Sequence, residues 1–345
     1  MSETAAEDAA LDGIVREYRD IGITLAVLAV LPAFVVEAGM TYQARLLVLF
    51  LTFASLTIAL NVVFGHTNQL FLFVGALTGI GAYTTALLAD SLGVSAWLLV
   101  PVSGLVAGSI GLLVSYVSAR RGMTVIVIAI LTLALQLAFG EIFVGARDIT
   151  GGSTGIPFRE LEVEFLATAL GETGQIALYY VLLAFVGALL VGYRLMMNSK
   201  YGFAFKAIRQ DEIAAESVGI DVVKYKSIAG FAAAAVIGLV GPLYAQSEGY
   251  ILPSMFAFQS IDVLVLVMLV LGGMRTLIGP VVGAGVIIYV NEILQDAGQW
   301  RTAILGGLLI ALFLYFREGI VPKVRELRNG ELGVSAPGSV LDRLR

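Results

Sequence analysis

Side chains that could catalyse a reaction or bind a metal are scarce in this sequence, which has no Cys and a single His, His66. The absence of Cys excludes disulfides, thiolate metal sites and Cys nucleophiles, and a lone His leaves no partner for a His-based metal cluster or triad. No phosphate-binding loop of the form G-x-x-x-x-G-K-[ST] occurs. We therefore expect no catalytic residue, no metal site, no bound cofactor and no ATP hydrolysis by this chain.

A stretch rich in charged residues, Tyr201–Ile220, follows a long apolar run. Residues Phe203–Val218 are good helix formers, and Gly219 is suited to end a helix. The predicted helix is amphipathic but too polar to cross a membrane. It either docks onto another protein or lies on the membrane surface as a solvated connector.

The polar cluster His66, Thr67, Asn68 and Gln69 lies between two apolar runs. A broken or re-entrant helix here could expose backbone and amide groups to a water-filled path, and a plain turn is the alternative. On the first interpretation Asn61, Asn68 and Gln69 are candidate residues of a substrate path.

A second candidate for that path is the glycine-rich stretch that contains Gly151, Gly152, Ser153 and Gly155. Successive N–H groups can converge on a carboxylate where glycines permit positive φ. A flexible turn is the alternative interpretation.

Two carboxylates, Glu141 and Asp262, fall inside apolar runs, together with the uncharged polar residues Asn61 and Asn291. Charged side chains within a membrane are costly and tend to face a cavity or a partner. Both carboxylates could instead lie near span ends, in reach of headgroup water, and we expect a structural role for them. They do not form a proton relay.

The elements that position these residues must be membrane-spanning helices, because 59% of the 345 residues are hydrophobic and only 14% are charged. The mean hydropathy is +0.92. Apolar runs of about 18 residues or more, long enough to cross a bilayer, recur from Ile21 to Phe316. The fold class is therefore all-α, a polytopic transmembrane helix bundle of about ten spans in the plasma membrane. We estimate these spans at 21–38, 43–64, 69–90, 96–119, 122–144, 174–193, 227–247, 257–274, 277–295 and 302–316.

The distribution of Lys and Arg predicts that both termini are cytoplasmic. This topology places 17 of the 21 basic residues inside and leaves only Arg45, Arg147, Arg159 and Arg301 outside. The predicted organisation is an acidic cytoplasmic tail (1–20), a transmembrane domain (21–316) and a cytoplasmic C-terminal tail (317–345). The transmembrane domain includes an external segment (147–173) and a large cytoplasmic loop (194–226).

Glycines spaced four residues apart predict close helix packing. The pairs are Gly75 and Gly79, Gly104 and Gly108, and Gly279 and Gly283.

Several short motifs, in their order along the chain, resemble one transporter family from about Leu46 to Val321. They are Leu60-Asn61-x-x-x-Gly65, Gly79-Ile80-Gly81-Ala82-Tyr83, Phe139-Gly140-Glu141-Ile142, Thr150-Gly151-Gly152-Ser153-x-Gly155-Ile156, Ala207-Ile208-Arg209-x-Asp211-Glu212-x-Ala214-Ala215-Glu216 and Leu271-Gly272-Gly273-Met274-x-Thr276-x-x-Gly279-Pro280. The chain resembles the LivM-type permease subunits of the branched-chain amino acid ABC transporter family.

This resemblance implies a permease that translocates branched-chain amino acids by alternating access. It also implies four kinds of partner: the lipid bilayer, a second related permease in a heterodimer, two cytoplasmic ATPase subunits that use ATP-Mg, and an external solute-binding protein. The predicted loop helix becomes a coupling helix, because Ala214-Ala215-x-x-x-Gly219 has the spacing that such permeases present to their ATPases. The implied coupling residues are Arg209, Asp211, Glu212, Ala214, Ala215, Glu216 and Gly219.

One stretch departs from the family pattern. After Gln69 the family usually has small polar residues, whereas this chain has Leu70-Phe71-Leu72-Phe73-Val74. Either the substrate differs, with urea or short amides as the alternative cargo, or this face packs against a neighbour.

Two other functional classes are alternatives to an ABC permease. A self-sufficient secondary transporter or channel would need an intramembrane ion site, for which only the carboxylates named above are available. A membrane enzyme acting on lipids would need clustered carboxylates, and no Asp-rich motif occurs in a predicted cytoplasmic loop.

Overall fold

The computed structural model describes residues 2–36, 41–158, 173–294 and 319–329, together with residues 161, 165, 167, 168, 300, 304, 306, 307 and 310. The described chain is a bundle of helices with one short antiparallel strand pair. This architecture confirms the predicted all-α class.

The elements follow one another as thirteen α-helices and two strands within the described ranges. They are α1 (Ser2–Val35), α2 (Thr41–Leu60), α3 (Val74–Leu92), α4 (Ala96–Arg120), α5 (Val125–Gly145), α6 (Arg147–Thr150), β1 (Ile156–Pro157), α7 (Gly174–Met197), α8 (Lys200–Gln210), α9 (Glu212–Ser217), α10 (Val222–Glu248), β2 (Tyr250–Ile251), α11 (Asp262–Gly272), α12 (Gly279–Ile293) and α13 (Ile320–Asn329). A π-helical turn, Asn61–Gly65, extends α2, and 3-10 turns occupy Gly152–Thr154 and Pro253–Phe256.

Helix α2 is the centre of the bundle. It packs against α7, α10, α11 and α12, and nearly all of its length is buried. Helices α3 and α4 pack together on α10. By contrast, α1, α4 and α5 carry exposed large apolar side chains, including Phe34, Leu98 and Ile126. Such surfaces are stable when they face lipid or another apolar protein surface.

Six of the described helices are long and apolar enough to cross a membrane: α1 from Tyr18, α2 with its π-turn, α4, α5, α7 and α10. Two shorter apolar helices, α11 and α12, lie within the predicted spans 257–274 and 277–295 but cover only part of each. The predicted span 302–316 lies almost entirely outside the described residues. The chain is thus a multi-pass membrane protein, while the total of ten spans and the side of each terminus stay predictions.

The predicted third span, 69–90, is wrong at its start. The chain is not helical at Gln69 to Phe73, and α3 begins only at Val74. Hydropathy does not detect this break because four of these five residues are apolar. Tertiary hydrogen bonds, described below, stabilise the extended backbone at this position.

The glycine pairs do mark close helix contacts. A Cβ atom on Gly104 or Gly108 would meet Leu239 or Phe231 of α10 within 3 Å. On Gly283 it would collide with the Met268 carbonyl of α11. The third pair, Gly75 and Gly79, faces the 3-10 turn at Phe256.

Candidate functional site

Asn61 is the centre of a buried polar network that joins three parts of the bundle. Its Nδ2 donates to Tyr193 Oη at 3.2 Å and to the Thr276 carbonyl at 3.0 Å. Its Oδ1 accepts from the Arg275 N–H at 2.8 Å. Both amide donors and the acceptor are therefore used, and they connect the end of α2 to α7 and to the turn between α11 and α12.

Gly65 allows this network to form. A Cβ atom at this position would lie 2.5 Å from Asn61 Oδ1. The Gly65 carbonyl accepts from Arg275 Nε at 3.0 Å, and the Arg275 backbone has a φ of 67°, which is uncommon for a residue with a side chain. The spacing Leu60-Asn61-x-x-x-Gly65 thus has a physical reason. Asn61 binds the turn between α11 and α12, and Gly65 leaves space for the Asn61 side chain.

His66 continues the network. The Tyr193 oxygen accepts from Asn61, so its proton is directed to His66 Nε2, 2.6 Å away. Burial, and then the nearby charges of Arg209, Arg275 and Lys206, lower the pKa of His66 to about 4. His66 is consequently neutral at pH 7, with its proton on Nδ1.

Asn68 and Gln69 connect this network to the polar loop. Asn68 adopts a φ of 53° and its Nδ2 approaches the Arg209 carbonyl at 3.4 Å. Gln69 is fully buried, and its Nε2 donates to Thr67 Oγ1 at 2.9 Å and to the Lys226 carbonyl at 3.1 Å. The structure therefore brings together the predicted path residues Asn61, Asn68 and Gln69.

The predicted helix over Phe203–Val218 is wrong in one respect, because two helices occupy this stretch. Asp211 is extended, with φ −161° and ψ 118°, and separates α8 from α9. Its carboxylate accepts from the N–H groups of Ile213 and Ala214 at 2.8 and 3.0 Å. Asp211 is thus the N-cap of α9, a role for which Asp is strongly preferred. Gly219, with a φ of 87°, follows α9 as predicted.

The α8–α9 unit has a buried side and an exposed apolar side. Ala215 is 3% exposed and packs with Ile208 and Val222. Ile213 and Val218 are 81% and 75% exposed. Of the predicted coupling residues, Asp211, Ala214 and Glu216 have exposed side chains, whereas Glu212 and Arg209 are partly buried. Burial, and then Arg275, lower the pKa of Arg209.

An ion pair attaches α9 to the bundle. Lys226 Nζ lies 2.5 Å from Glu212 Oε1, and the Lys226 side chain is 3% exposed. The carbonyl of the same lysine accepts from Gln69, so one residue of α10 contacts both α9 and the segment before α3.

The predicted glycine-rich path segment lies far from this cluster. Helix α10 starts beside α9 and ends beside β2, and its 27 residues span about 40 Å. Gly155 has a φ of 70° and brings β1 against β2, pairing Ile156 with Ile251. The N–H groups of Gly151, Gly152 and Gly155 all donate within the loop. Because these three N–H groups already have acceptors, the loop geometry adds no support for a carboxylate nest. The nest stays a prediction.

A cavity of about 320 Å³ lies beside Ser153 of this loop. Its polar lining includes Gln136, Glu141 and Ser254. Glu141 is exposed, as expected for a carboxylate in reach of water. The Gln136 Oε1 accepts from the Ala76 N–H at 2.7 Å, which places this cavity next to the start of α3.

The position expected for Asp262, near headgroup water, is wrong. Its side chain is 1% exposed, and its carboxylate accepts from the N–H groups of Val74 and Gly75 at 2.6 and 3.2 Å. These are the first residues of α3, whose N–H groups lack partners within the helix. Asp262 therefore has the structural role expected for it, as the cap that allows α3 to begin inside the bundle.

The apolar stretch after Gln69 is part of the core. Phe71 and Phe73 are fully buried, with ring centroids 5.0 Å apart in an edge-to-face arrangement. The Leu72 N–H donates to Thr132 Oγ1 at 2.9 Å, and the Leu70 carbonyl accepts from the same hydroxyl at 3.2 Å. The phenylalanines thus pack against a neighbour, as one of the two interpretations expects.

Three residues of the site are absent from the sequence-based set: Tyr193, Arg275 and Lys226. Each lies at the edge of a predicted span, where a polar side chain is typical. A basic residue there indicates orientation but not a specific partner. Only the folded arrangement identifies their contacts.

Residues 42–315 match the profile of a family described as branched-chain amino acid transport system, permease component. The chain is 32% identical, over an alignment of 350 positions, to the high-affinity branched-chain amino acid transport system permease protein LivM of Escherichia coli. The aligned region covers 93% of this chain and 80% of that protein. The LivM protein of Salmonella typhimurium is 30% identical with the same coverage.

A more distant relative is the probable branched-chain amino acid transport permease protein LivH of Methanocaldococcus jannaschii. It is 25% identical over 244 positions, which cover 69% of this chain and 75% of the archaeal protein. No solved structure matches the chain.

Proposed function

The chain belongs to the branched-chain amino acid transport system permease family, and on that premise we propose that it is the membrane-spanning subunit of an ATP-driven importer for branched-chain amino acids. Membership of this family also makes it a transport subunit that works with other ABC transporter subunits. The proposed assembly contains a second, related permease, two ATPase subunits that bind ATP-Mg, and an external solute-binding protein.

The observation that carries this proposal is the α8–α9 unit. A short helix exposes two large apolar side chains, Ile213 and Val218, outside any predicted span, while its opposite side is packed onto the bundle. Exposed apolar side chains on an anchored helix are typical of a helix that inserts into a groove of a partner. We propose that the ATPase subunits are this partner. The α8–α9 unit then lies on the cytoplasmic side of the membrane.

The contacts of the unit suggest how a movement of the ATPases reaches the bundle. Glu212 binds Lys226 of α10, Lys226 binds Gln69, and the Arg209 carbonyl lies near Asn68. A displacement of α9 would therefore act on α10 and on the segment before α3 together. Alternating access then consists of two packings of these helices, whose relative free energies depend on ATP binding by the partner.

The solute path is proposed to pass the start of α3. On one side of it lies the cavity lined by Gln136, Glu141 and Ser153, which offers an amide, a carboxylate and a hydroxyl to a zwitterionic solute. On the other side lies the network of Asn61, Asn68 and Gln69. Because Phe71 and Phe73 are buried in the core, the departure at this stretch gives no reason to replace branched-chain amino acids by urea.

Replacement of Ile213 by Asp tests the coupling role. Ile213 is 81% exposed, so the variant keeps the internal packing of the chain. We expect loss of co-purifying ATPase and of leucine uptake, at unchanged membrane levels of the chain. Ala215 is a poor choice for this test, because it is buried and a charged residue there would disrupt the fold.

The matched control is Ile149→Asp, because Ile149 is 58% exposed and lies at the β1–β2 end of the bundle. This variant should retain the ATPase. If the Ile213 variant also retains it, the docking role of α9 is wrong. If the wild-type chain purifies alone and still transports leucine in vesicles without ATP, the chain is a secondary transporter instead.

A further inference from the structure

A basic cavity of about 230 Å³ lies at the end of the bundle that carries α8. It is lined by four charged side chains from four separate parts of the chain: Asp20 of α1, Arg194 of α7, Lys206 of α8, and Arg275 of the turn between α11 and α12. The three cations outnumber the single carboxylate. Such a cavity has a positive potential and attracts anions.

One buried hydrogen-bond donor in the wall of this cavity has no partner in the described part of the chain. His66 lines the cavity and is only 5% exposed. Its Nε2 is occupied by Tyr193 Oη, and its Nδ1, which carries the proton, meets no acceptor among the described residues. A buried donor without a partner is unfavourable, because it has lost its hydrogen bonds to water. An anion in the cavity would remove this cost.

Two of the basic side chains, Lys206 and Arg275, are also incompletely neutralised among the residues that the structure describes. Neither Lys206 nor Arg275 forms an ion pair with a carboxylate in the described part of the chain. Arg275 uses Nε to bind the Gly65 carbonyl, and its two terminal nitrogens meet no acceptor within the described ranges. Burial lowers the pKa of His66 most, and the charges of Arg209, Arg275 and Lys206 lower it further, as a local excess of positive charge does.

The cavity lies at the level of the membrane surface, because three spans end beside it. The span of α1 begins at Tyr18, that of α2 ends at Gly65 and that of α7 ends at Met197. Phosphate groups of lipids are concentrated at this level, and basic pockets between transmembrane helices suit them. Guanidinium groups bind phosphate through paired hydrogen bonds, and a lysine adds a point charge.

We infer that this cavity is a binding site for a phosphate group, held by Arg194, Lys206, Arg275 and the Nδ1–H of His66. The occupant is either the headgroup of an anionic phospholipid or a free phosphate compound. This inference requires only that the chain is embedded in a membrane, so it does not depend on the importer proposal.

The test uses the full chain, purified in detergent with whatever subunits accompany it. Binding is measured by native mass spectrometry and by the shift in unfolding temperature on adding phosphatidylglycerol, phosphatidylcholine, or inorganic phosphate at constant ionic strength. We expect phosphatidylglycerol or inorganic phosphate to bind and to raise the unfolding temperature, and phosphatidylcholine to have a much smaller effect. Binding by the lipid alone identifies a headgroup site, and equal binding by inorganic phosphate identifies a free phosphate site.

Lys206→Gln is the first variant, because Lys206 is exposed and its loss should not affect folding. It should weaken binding of the anion roughly fivefold. Arg275→Gln is the second variant and should weaken binding at least as much. Arg121→Gln is the control, since Arg121 is an exposed arginine that does not line the cavity and its loss changes the net charge equally.

Three results would overturn the inference. In the first, no phosphate compound binds better than phosphatidylcholine. In the second, the Lys206 and Arg121 variants lose the same affinity, which would show that only the overall surface charge matters. In the third, leucine displaces the anion, which would make the cavity part of the solute path.

Discussion

Glu212 and Lys226 form an ion pair in which only the carboxylate has access to water. The Lys226 side chain is 3% exposed and that of Glu212 is 40% exposed. The buried ammonium therefore depends on a residue of α9 for its charge partner. Any partner protein that moves α9 changes the environment of a charge inside the bundle.

Loss of this pair should impair both stability and transport. Glu212→Gln leaves the Lys226 ammonium buried without a carboxylate, which should destabilise the chain by about 1–2 kcal/mol. This is less than the 3–5 kcal/mol typical of a fully buried pair, because Glu212 is partly solvated. The measurements are the unfolding temperature in detergent and leucine uptake in cells. The doubly exchanged variant, Glu212→Lys with Lys226→Glu, should recover part of the loss, and no recovery would contradict a direct pair.

Gly65→Ala should disrupt the Asn61 network. The added methyl group would lie 2.5 Å from Asn61 Oδ1, so the Arg275 turn must move. Overpacking of this kind costs about 1–3 kcal/mol. Gly192→Ala in α7 is the control, because no atom lies within 4 Å of its added methyl group. Equal unfolding temperatures for the two variants would show that the fit around Gly65 is unimportant.

The pH dependence of stability should include a contribution from His66. Its folded pKa is about 4, below the ordinary 6.5, so the unfolded chain binds a proton first as the pH falls. The contribution of neutral His66 to the free energy of unfolding is complete above pH 6.5. It is lost progressively as the pH falls from 6.5 to 4. We expect His66→Gln, which still offers an acceptor to Tyr193, to show a smaller decrease in unfolding temperature over this interval. The same decrease in both proteins would contradict the assignment.

Asp262→Ala should destabilise the start of α3 more than Asp262→Asn. The alanine variant leaves the N–H groups of Val74 and Gly75 without acceptors, at about 1–3 kcal/mol each. Asparagine retains one oxygen acceptor. Hydrogen exchange of residues 74–78, measured by mass spectrometry, should rise most in the alanine variant. Similar exchange in all three proteins would mean that other contacts stabilise this helix end.

The long helices could be predicted from sequence because their apolar runs exceed a membrane thickness and their ends carry Gly, Ser or basic residues. The predicted span 96–119 differs by one residue from α4, which ends at Arg120. The break at Gln69–Phe73 could not be predicted in this way, because Leu70 and Phe71 are as apolar as the helix that follows. The hydrogen bonds that stabilise it come from Thr132 and Asp262, which are distant in sequence.

In the site, too, the sequence indicates single polar residues but not the residues that bind them. The sequence indicates that Asn61 and Gln69 are polar residues at unusual positions, and the structure confirms that both are buried and hydrogen-bonded. Their partners, Tyr193 and Lys226, lie in other helices, α7 and α10, and give no local signal. The family resemblance predicts a coupling role for Asp211, and this role stays a prediction; its contact within the chain is a helix cap, for which Asp is a preferred residue.

The cap on α3 also sets an order for biogenesis. Asp262 follows Val74 by 188 residues, so at a synthesis rate of 5–20 residues per second the ribosome needs roughly 10–40 s to supply it after Val74. During this interval the nascent α3 has two N–H groups that no hydrocarbon can satisfy. The segment must therefore remain in contact with water or with the insertion machinery, and its final placement awaits the synthesis of α11.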